Sequence, residues 1–555
     1  NKDDDDRMRY PVEVYVKSPK EMRDLFSAYG DAGREACDNT VAIAERCNVE
    51  LPIGANHAPM VRVEIKGPRG ESVTGPKKGK DADPAADLPR HDDPKYAGDL
   101  TAWYSDYCTH FRLEPFDHTP TPEEVARSRE DCNTALRLLA EGGFVWRYGP
   151  GEKDPEKRAR LERELRILAD KNISAYFLIV WDFVNWGRQQ GIPALARGSG
   201  VGTMVGYVLG LSNACPVRYG LLFERFTDPD RSEYPDIDID LCQDGRASVI
   251  NYVRQKYGHV AQIITFGTLK ARAAVRDVGR VFNIPLTDVD KVAKLIPETL
   301  NITLDEALEA EPDLKKIYDT DDRIRRVLDN ARTIEGQARH ASVHAAGVIV
   351  ATRPLHEIVP LYKPSGTEDN AVVTQWDGPT CEKMGLLKMD FLGLRTVSIV
   401  ERAKKLIRES LTEQDIWEAV GRGGEFEKLK ARKQQSAKEG KEKGRAAGKR
   451  DSGSDASSID ALSFSHPLDL DRLDYADQTV FELFRRGETT GVFQFESPGM
   501  RRLLVEMKPD RLEDLIAANA LYRPGPMDMI DDFIDRKHGR KEVAYDLPEM
   551  KEILE

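Results

Sequence analysis

The segment PDIDIDLC, residues 235–242, sets Asp236, Asp238 and Asp240 at every second position among Ile237, Ile239 and Leu241. A period of two is the period of a β-strand, so this stretch predicts a strand with one apolar, buried face. The opposite face then carries a row of carboxylates, and like charges side by side cost stability. The arrangement needs positive charge from outside the strand. Alternate side chains rise about 6.6 Å per two residues. Two such carboxylates can reach a pair of Mg²⁺ ions about 4 Å apart, the arrangement used for in-line phosphoryl or nucleotidyl transfer. The bland alternative is a solvated strand face with one or two ion pairs. For an isolated D-x-D-x-D that alternative is the commoner one, so the motif is judged by its company.

Three neighbours bear on it. ARGSGVGT, residues 196–203, places glycines at 198, 200 and 202, so the backbone can approach a ligand closely, and the helix predicted next would offer its N-terminal amides to an anion. It is neither a P-loop, since no Lys follows, nor a dinucleotide fingerprint, since Thr203 replaces the last Gly. Arg197 and Ser199 favour phosphate over a plain tight turn. In GLLKMDFLGLRT, residues 385–396, Lys388 and Asp390 share one face of a predicted strand. They could supply a third metal ligand and a cation for a triphosphate, or simply pair with each other. LLFERFTDPDR adds Arg225 and Arg231 as partners for phosphate charge. His340 and His344, at helical i, i+4 spacing, invite a zinc reading. Ala341 stands where a metalloprotease needs Glu, so packing or polar contact with substrate is favoured.

At 555 residues the chain exceeds one compact core, and about three to four domains are expected. A net charge of −13 excludes a general polycation but allows a local basic channel. The apolar run YFLIVWDFVNW is short and interrupted by Asp182, so no bilayer span is expected. Seven scattered cysteines with no C-x-x-C pair read as reduced thiols of a cytoplasmic protein. The opening NKDDDDRMRY lacks both the apolar core of a secretory leader and an initiator Met, so a piece of a longer chain is expected.

Residues 20–51 have helical apolar spacing. Residues 56–120, rich in Gly, Pro, Asp and Lys, read as a linker or disordered insert. Thr121, Pro122 and Glu123-Glu124 announce a helix start. Two further helices follow. AQIITFGT, AGVIVAT and GLLKMDFL read as strands, LKARAAVRDVGRVFN as a basic amphipathic helix, and 287–335 as more helices. The lysine-rich tract 426–458 has too few apolar residues to fold. Residues 466–555 are expected to be mostly helical with a break at RPGP.

Arg-Gly-Ser-Gly, Leu-Phe-Glu-Arg-Phe, Pro-Asp-x-Asp-x-Asp, QIITFGT and Lys-x-Asp-Phe-Leu-Gly-Leu-Arg-Thr, in this order, resemble the catalytic core of the bacterial replicative DNA polymerase III alpha subunits, the C-family polymerases. HAAGVIVA, TTGVFQFES, LYRPGP and FIDRKHGR continue the likeness, which covers roughly 10–55 and 120–555. The resemblance implies an α/β (α+β) fold with a polymerase-beta-like nucleotidyltransferase palm at 121–269 and 346–396. It also implies a mostly helical thumb at 270–345, fingers at 397–555, truncated and interrupted by the tract 426–458, and the last helix of a PHP domain at 1–55. The family's metal-binding aspartates fall on Asp238, Asp240 and Asp390, holding two Mg²⁺. One ion lowers the pKa of the primer 3′-hydroxyl and the other escorts the pyrophosphate. Asp236 falls on a position kept acidic but not used as a main ligand. Triphosphate contacts fall on Arg197, Gly198, Ser199 and Lys388, with Arg225 and Arg231 carried over less directly. Ala196 departs from the family's usual Gly.

The implied activity is template-directed DNA synthesis by a DNA-directed DNA polymerase, acting on primer–template DNA and dNTPs in the cytoplasm. The sliding clamp, clamp loader and proofreading subunit are implied partners of the full-length protein. Two alternatives stay open: a template-independent nucleotidyltransferase, and a non-catalytic DNA-binding remnant.

Overall fold

The computed structural model describes residues 15–554 apart from 52, 55–56, 58, 67–87, 97, 117, 119, 228–236, 298, 300, 352, 365–371, 432–465 and 471–474. Its strands are β1 (Val61–Ile65), β2 (Phe111–Pro115), β3 (Ala194–Arg197), β4 (Asp238–Cys242), β5 (Val260–Thr268), β6 (Ala338–Val350), β7 (Leu361–Tyr362), β8 (Val373–Thr374) and β9 (Leu387–Leu394). The chain divides into two compact units, one of Asn1–Met60, Pro115–Thr119 and Arg254–Asp390, the other of Val61–Glu114, Pro120–Val253 and Phe391–Glu555. Strand β9 contributes its first four residues to the first unit and its last four to the second.

In the first unit β5 and β6 form a long antiparallel ribbon, with register shifts between Gln262 and Ile264 and between Gly267 and Thr268. β6 pairs antiparallel with the start of β9, setting Gly347 opposite Asp390 and Ile349 opposite Lys388. β8 joins the other edge of β5 in parallel, and β7 pairs with β8. Ile263, Ile349 and Ile358 pack with Met384 and Leu386 as one core. The predicted basic helix is Ala271–Val281. With helices 286–295, 304–310, 312–320 and 322–334 it encloses a separate core that includes Val275, Val292, Leu304, Leu314 and Leu328. The sequence expectation of one helical stretch over 20–51 resolves into Pro19–Phe26 and Gly30–Arg46.

In the second unit the Pro122–Tyr148 helix starts as its sequence predicts. The Thr121 hydroxyl accepts the Glu124 amide while the Glu124 carboxylate accepts the Thr121 amide, which satisfies two of the donors a helix start leaves orphaned. Helices Pro155–Asp170 and Ser174–Gln189 follow, the latter buried along nearly its whole length. Gly143 lets the long helix meet the backbone of another segment. A Cβ there would run into the Val208 carbonyl oxygen. The C-terminal segment is helical at 478–485, 498–507, 512–521 and 530–537, around Phe484, Leu503, Leu504 and Met507, and it breaks at Arg523–Pro526.

One expectation is corrected. Residues 56–120 are not simply a linker. β1 and β2 pair, and the Leu100–Cys108 helix buries Trp103, Tyr104 and Tyr107. Tyr104 stacks on Trp146 at 4.8 Å, and the Tyr107 hydroxyl donates to the Leu138 carbonyl at 3.0 Å. Aromatic rings bury enough area each to fix a short helix that its polar flanks would not hold. The tract 426–458 is corrected only at its start, where residues 426–431 end a helix and Phe426 lies 6.1 Å from the Trp417 ring. The part of that tract from 432 onward lies outside the described residues. All seven cysteines are free thiols. Among the described residues no helix is long and apolar enough to cross a membrane.

Gly143→Ala tests the close approach. Helix propensity alone favours the alanine by about 1 kcal/mol. The collision with Val208 is expected to reverse that sign and destabilise the protein by about 1–3 kcal/mol. Urea unfolding measures it, and an unchanged or raised midpoint would mean the two segments are free to part.

Candidate active site

Strand β4 alternates as its sequence demands. Ile237, Ile239 and Leu241 are buried, and Asp238 and Asp240 lie on the other face, partly exposed. The Ile237 amide just before it donates to the Tyr176 hydroxyl at 3.0 Å, which anchors the strand's start. β3 runs antiparallel alongside, with Arg197 opposite Asp238 and Leu195 opposite Asp240. Arg197 Nε reaches diagonally to Asp240 Oδ1 at 3.3 Å. Burial pushes the Asp240 carboxyl above the usual carboxylate range, and the Arg197 guanidinium opposes that shift. On its far side β4 pairs in parallel with the second half of β9, Ile239 beside Phe391. The Phe391 carbonyl accepts Arg246 Nε at 2.6 Å, and its ring lies 4.7 Å from Phe183.

From Arg197 the chain enters a tight turn, Gly198–Gly202. Gly198 has φ +69°, a conformation that side-chain-bearing residues rarely adopt, and a Cβ there would sit 3.7 Å from Asp238 Oδ2. Arg197, Gly198 and Ser199 are exposed. The anion expected at the next helix, Met204–Val208, is replaced by one the chain supplies itself. Glu164, fully buried, accepts the Val205 amide at 3.0 Å, and the Thr203 hydroxyl accepts the Gly206 amide at 3.0 Å. The amides that were to greet a phosphate are taken. Glu164 also accepts Arg160 Nε, and Arg160 Nη2 donates to the Gly202 and Leu221 carbonyls, both at 3.0 Å. Neither Arg160 nor Glu164 figured among the sequence candidates. The signal was there: Leu161, Glu164, Leu165 and Leu168 fall on one helical stripe, with a charge inside it.

On β9, Leu387, Met389 and Phe391 are buried, and Lys388 and Asp390 share the other face. Lys388 Nζ donates to Asp390 Oδ2 at 2.7 Å, so the two form a direct ion pair. Asp390 Oδ1 is buried and accepts no hydrogen bond. His340 and His344 are separated, because β6 is a strand. Four residues along it span about 13 Å, too far for one ion. His344 Nδ1 instead accepts the Gly347 and Ala346 amides, at 2.5 and 3.2 Å.

Arg225 is exposed on the Phe223–Arg225 turn, while Asp236 and Arg231 lie outside the described residues. Among the described residues no three His, Cys, Asp or Glu side chains gather as a metal-holding cluster. The donor chemistry nonetheless suits a hard cation. The donors are carboxylates only, and Asp390 keeps a buried oxygen that no protein donor satisfies.

In the second unit β4 presents carboxylates beside Arg197 and an exposed Arg-Gly-Ser turn; in the first, Asp390 pairs with Lys388. Comparison with known proteins gives the family. Residues 134–393 match the bacterial DNA polymerase III alpha NTPase domain, and residues 457–555 match the bacterial DNA polymerase III alpha subunit finger domain. The DNA polymerase III subunit alpha of Campylobacter jejuni is 35% identical over 100% of the chain and 38% of its own length. That of Thermus aquaticus is 38% identical over 98% of the chain and 40% of its own length. That of Bacillus subtilis is 41% identical over 79% of the chain and 34% of its own length. The chain belongs to the bacterial DNA polymerase III alpha subunit family, and it spans about two fifths or less of the length of these relatives.

The Asp240 shift has a pH signature. A carboxyl whose folded pKa is raised contributes stability at pH below its unfolded value, about 4, and loses it as pH rises through the folded pKa. Unfolding free energy followed from pH 4 to 7 is therefore expected to fall in the wild type relative to Asp240→Asn. Parallel curves would mean that Arg197 fully compensates the burial.

Proposed function

We propose that this chain carries the nucleotidyl-transfer site of a bacterial replicative DNA polymerase, extending a primer with dNTPs under template direction in the cytoplasm. The observation that carries the reading is the carboxylate face of β4 flanked by Arg197, within the segment matched to the family's NTPase domain. In this reading residues 121–269 and 346–396 are the palm, 270–345 the thumb, 397–555 part of the fingers, and 1–55 the end of a PHP domain. Asp238, Asp240 and Asp390 would hold two divalent cations, Mg²⁺ by donor type, which when bound supply Lewis acidity to the reacting oxygens. The primer 3′-oxygen forms a bond to the α-phosphorus as the α–β phosphoanhydride breaks, and pyrophosphate leaves. Arg197, Ser199, Lys388, Arg225 and Arg231 bring positive charge and donors to the triphosphate, and Gly198 leaves room for it beside Asp238. Sliding clamp, clamp loader and proofreading subunit are partners of the longer polymerase.

A second reading, a non-catalytic DNA-binding segment, draws on one observation: Arg197 and Lys388 each pair directly with a carboxylate. One experiment separates the two. In the intact, full-length polymerase, Asp238→Asn, Asp240→Asn and Asp390→Asn are each expected to lower nucleotide incorporation at least about 10³-fold, or about 4 kcal/mol, with primer–template affinity preserved. Primer-extension kinetics and filter binding read both quantities. An aspartate whose variant keeps more than about a tenth of the wild-type rate is not a ligand, and three such variants would leave the DNA-binding reading in place.

A further inference from the structure

We propose that Arg160 and Glu164 are positioning residues for the nucleotide: a buried ion pair that fixes the Gly198–Gly202 turn and the Phe223–Arg225 turn against each other. The inference rests on the polymerase reading above and assigns that site two residues that touch neither substrate nor metal. Glu164 has no exposed surface and the Arg160 side chain is 16% exposed, so neither can serve as a ligand contact. Apart from the bond between them, their hydrogen bonds run to backbone at the edges of the site. The Arg160 guanidinium donates from one nitrogen to Gly202 O, which closes the turn begun at Gly198, and to Leu221 O, two residues before the turn that carries Arg225. Glu164 accepts the Arg160 Nε–H and, by accepting the Val205 amide, holds the helix that the first turn leads into.

The two turns are close enough that a Cβ on Gly202 would lie 3.2 Å from the Leu222 carbonyl oxygen. Backbone segments this near have few ways to shift independently once a planar fork bridges them. Arg197 precedes one turn, Ser199 lies within it and Arg225 ends the other, so the spacing of these exposed groups is set from behind by one guanidinium.

The test uses the full chain with Arg160→Lys, Glu164→Gln and the double variant Arg160→Met/Glu164→Leu. Apolar replacement of a buried ion pair is often tolerated in stability, whereas a point ammonium or a neutral amide keeps only part of the geometry. Three readouts are taken: KM for dNTP and kcat in primer extension, primer–template Kd, and hydrogen exchange of 198–206 and 221–225. In Arg160→Lys and the double variant, KM for dNTP is expected to rise about tenfold or more while kcat falls less and primer–template Kd stays within about twofold. Exchange in both turns is expected to accelerate together, by about tenfold. Glu164→Gln should lie between these variants and wild type.

If exchange in the two turns and KM are unchanged in the folded double variant, the inference is overturned. It is overturned equally if KM, kcat and Kd all deteriorate only in proportion to lost folded protein, which is the mark of a plain stability role. A longer wild-type polymerase, carrying this chain at the full length of its relatives, that incorporates no nucleotide would sink the polymerase reading instead, and the exchange data would still decide whether the ion pair couples the turns.

Discussion

A carboxylate without solvent must be surrounded by donors or it will not stay charged, and an isolated one costs several kcal/mol. Glu164 meets that requirement with Arg160 and with the amides at the start of the Met204–Val208 helix. Burial still pushes its carboxyl above the ordinary range, with those donors pulling the other way. The charge is therefore tolerable only while the Gly198–Gly206 segment is folded down onto it. The Thr203 hydroxyl, bonded to both Gly200 O and the Gly206 amide, closes the same segment from within. The glycine-rich stretch, a 3₁₀ turn leading into a short helix, is thereby tied at both its turn and its helix start.

The carboxylates of β4 and β9 are handled differently. Each lies on a partly exposed strand face, where a nearby cation is worth far less than in the interior. Arg197 reaches Asp240 from the neighbouring strand, and Lys388 reaches Asp390 from two positions back on its own strand. Both cations are on flexible side chains; Arg197 is nearly half exposed, and Lys388 is more enclosed, with 19% of its side chain exposed. They offset part of the like-charge repulsion on these faces. Buried carboxylate oxygens that accept no hydrogen bond remain on both strands, Asp240 Oδ1 on β4 and Asp390 Oδ1 on β9.

The parts of this arrangement legible in the sequence were those set by local periodicity. The Ile–Asp alternation fixed which side of β4 is buried, and Thr121-x-x-Glu124 fixed a helix start to the residue. The parts that escaped depend on residues distant in the chain. Trp103, Tyr104 and Tyr107 sit between polar, Gly- and Pro-rich flanks, and only their partners, such as Trp146 and the Leu138 carbonyl, turn them into a core. The helix N-terminus at Met204 looked open to an anion because its internal anion lies 40 residues earlier, at Glu164. His340 and His344 looked paired only on the assumption of a helix, and the ribbon with β5 removes that assumption.

What unites the second unit's irregular region is the use made of arginine. Arg147 donates to the Tyr207 and Ser212 carbonyls while stacking on Trp146 and Tyr207. Arg188 donates to Gly210 O at 2.7 Å, Arg160 to Gly202 O and Leu221 O, and Arg246 to Phe391 O. The Ser212, Gly210, Gly202 and Leu221 carbonyls lie in turns or loops, Tyr207 O also accepts the Gly210 amide, and Phe391 belongs to β9; each arginine comes from a helix. The C-terminal segment repeats the logic with the signs exchanged. Asp514, 1% exposed, accepts the Asp510 amide and Lys537 Nζ, and these donors outweigh burial and hold its carboxyl below the usual range. Long basic side chains on regular helices thus carry order into segments whose own sequence prescribes none. For a site built from a turn, this matters more than the turn's residues themselves: Arg197 and Ser199 can remain exposed to a ligand because the carbonyls just beyond them are already bound from the inside.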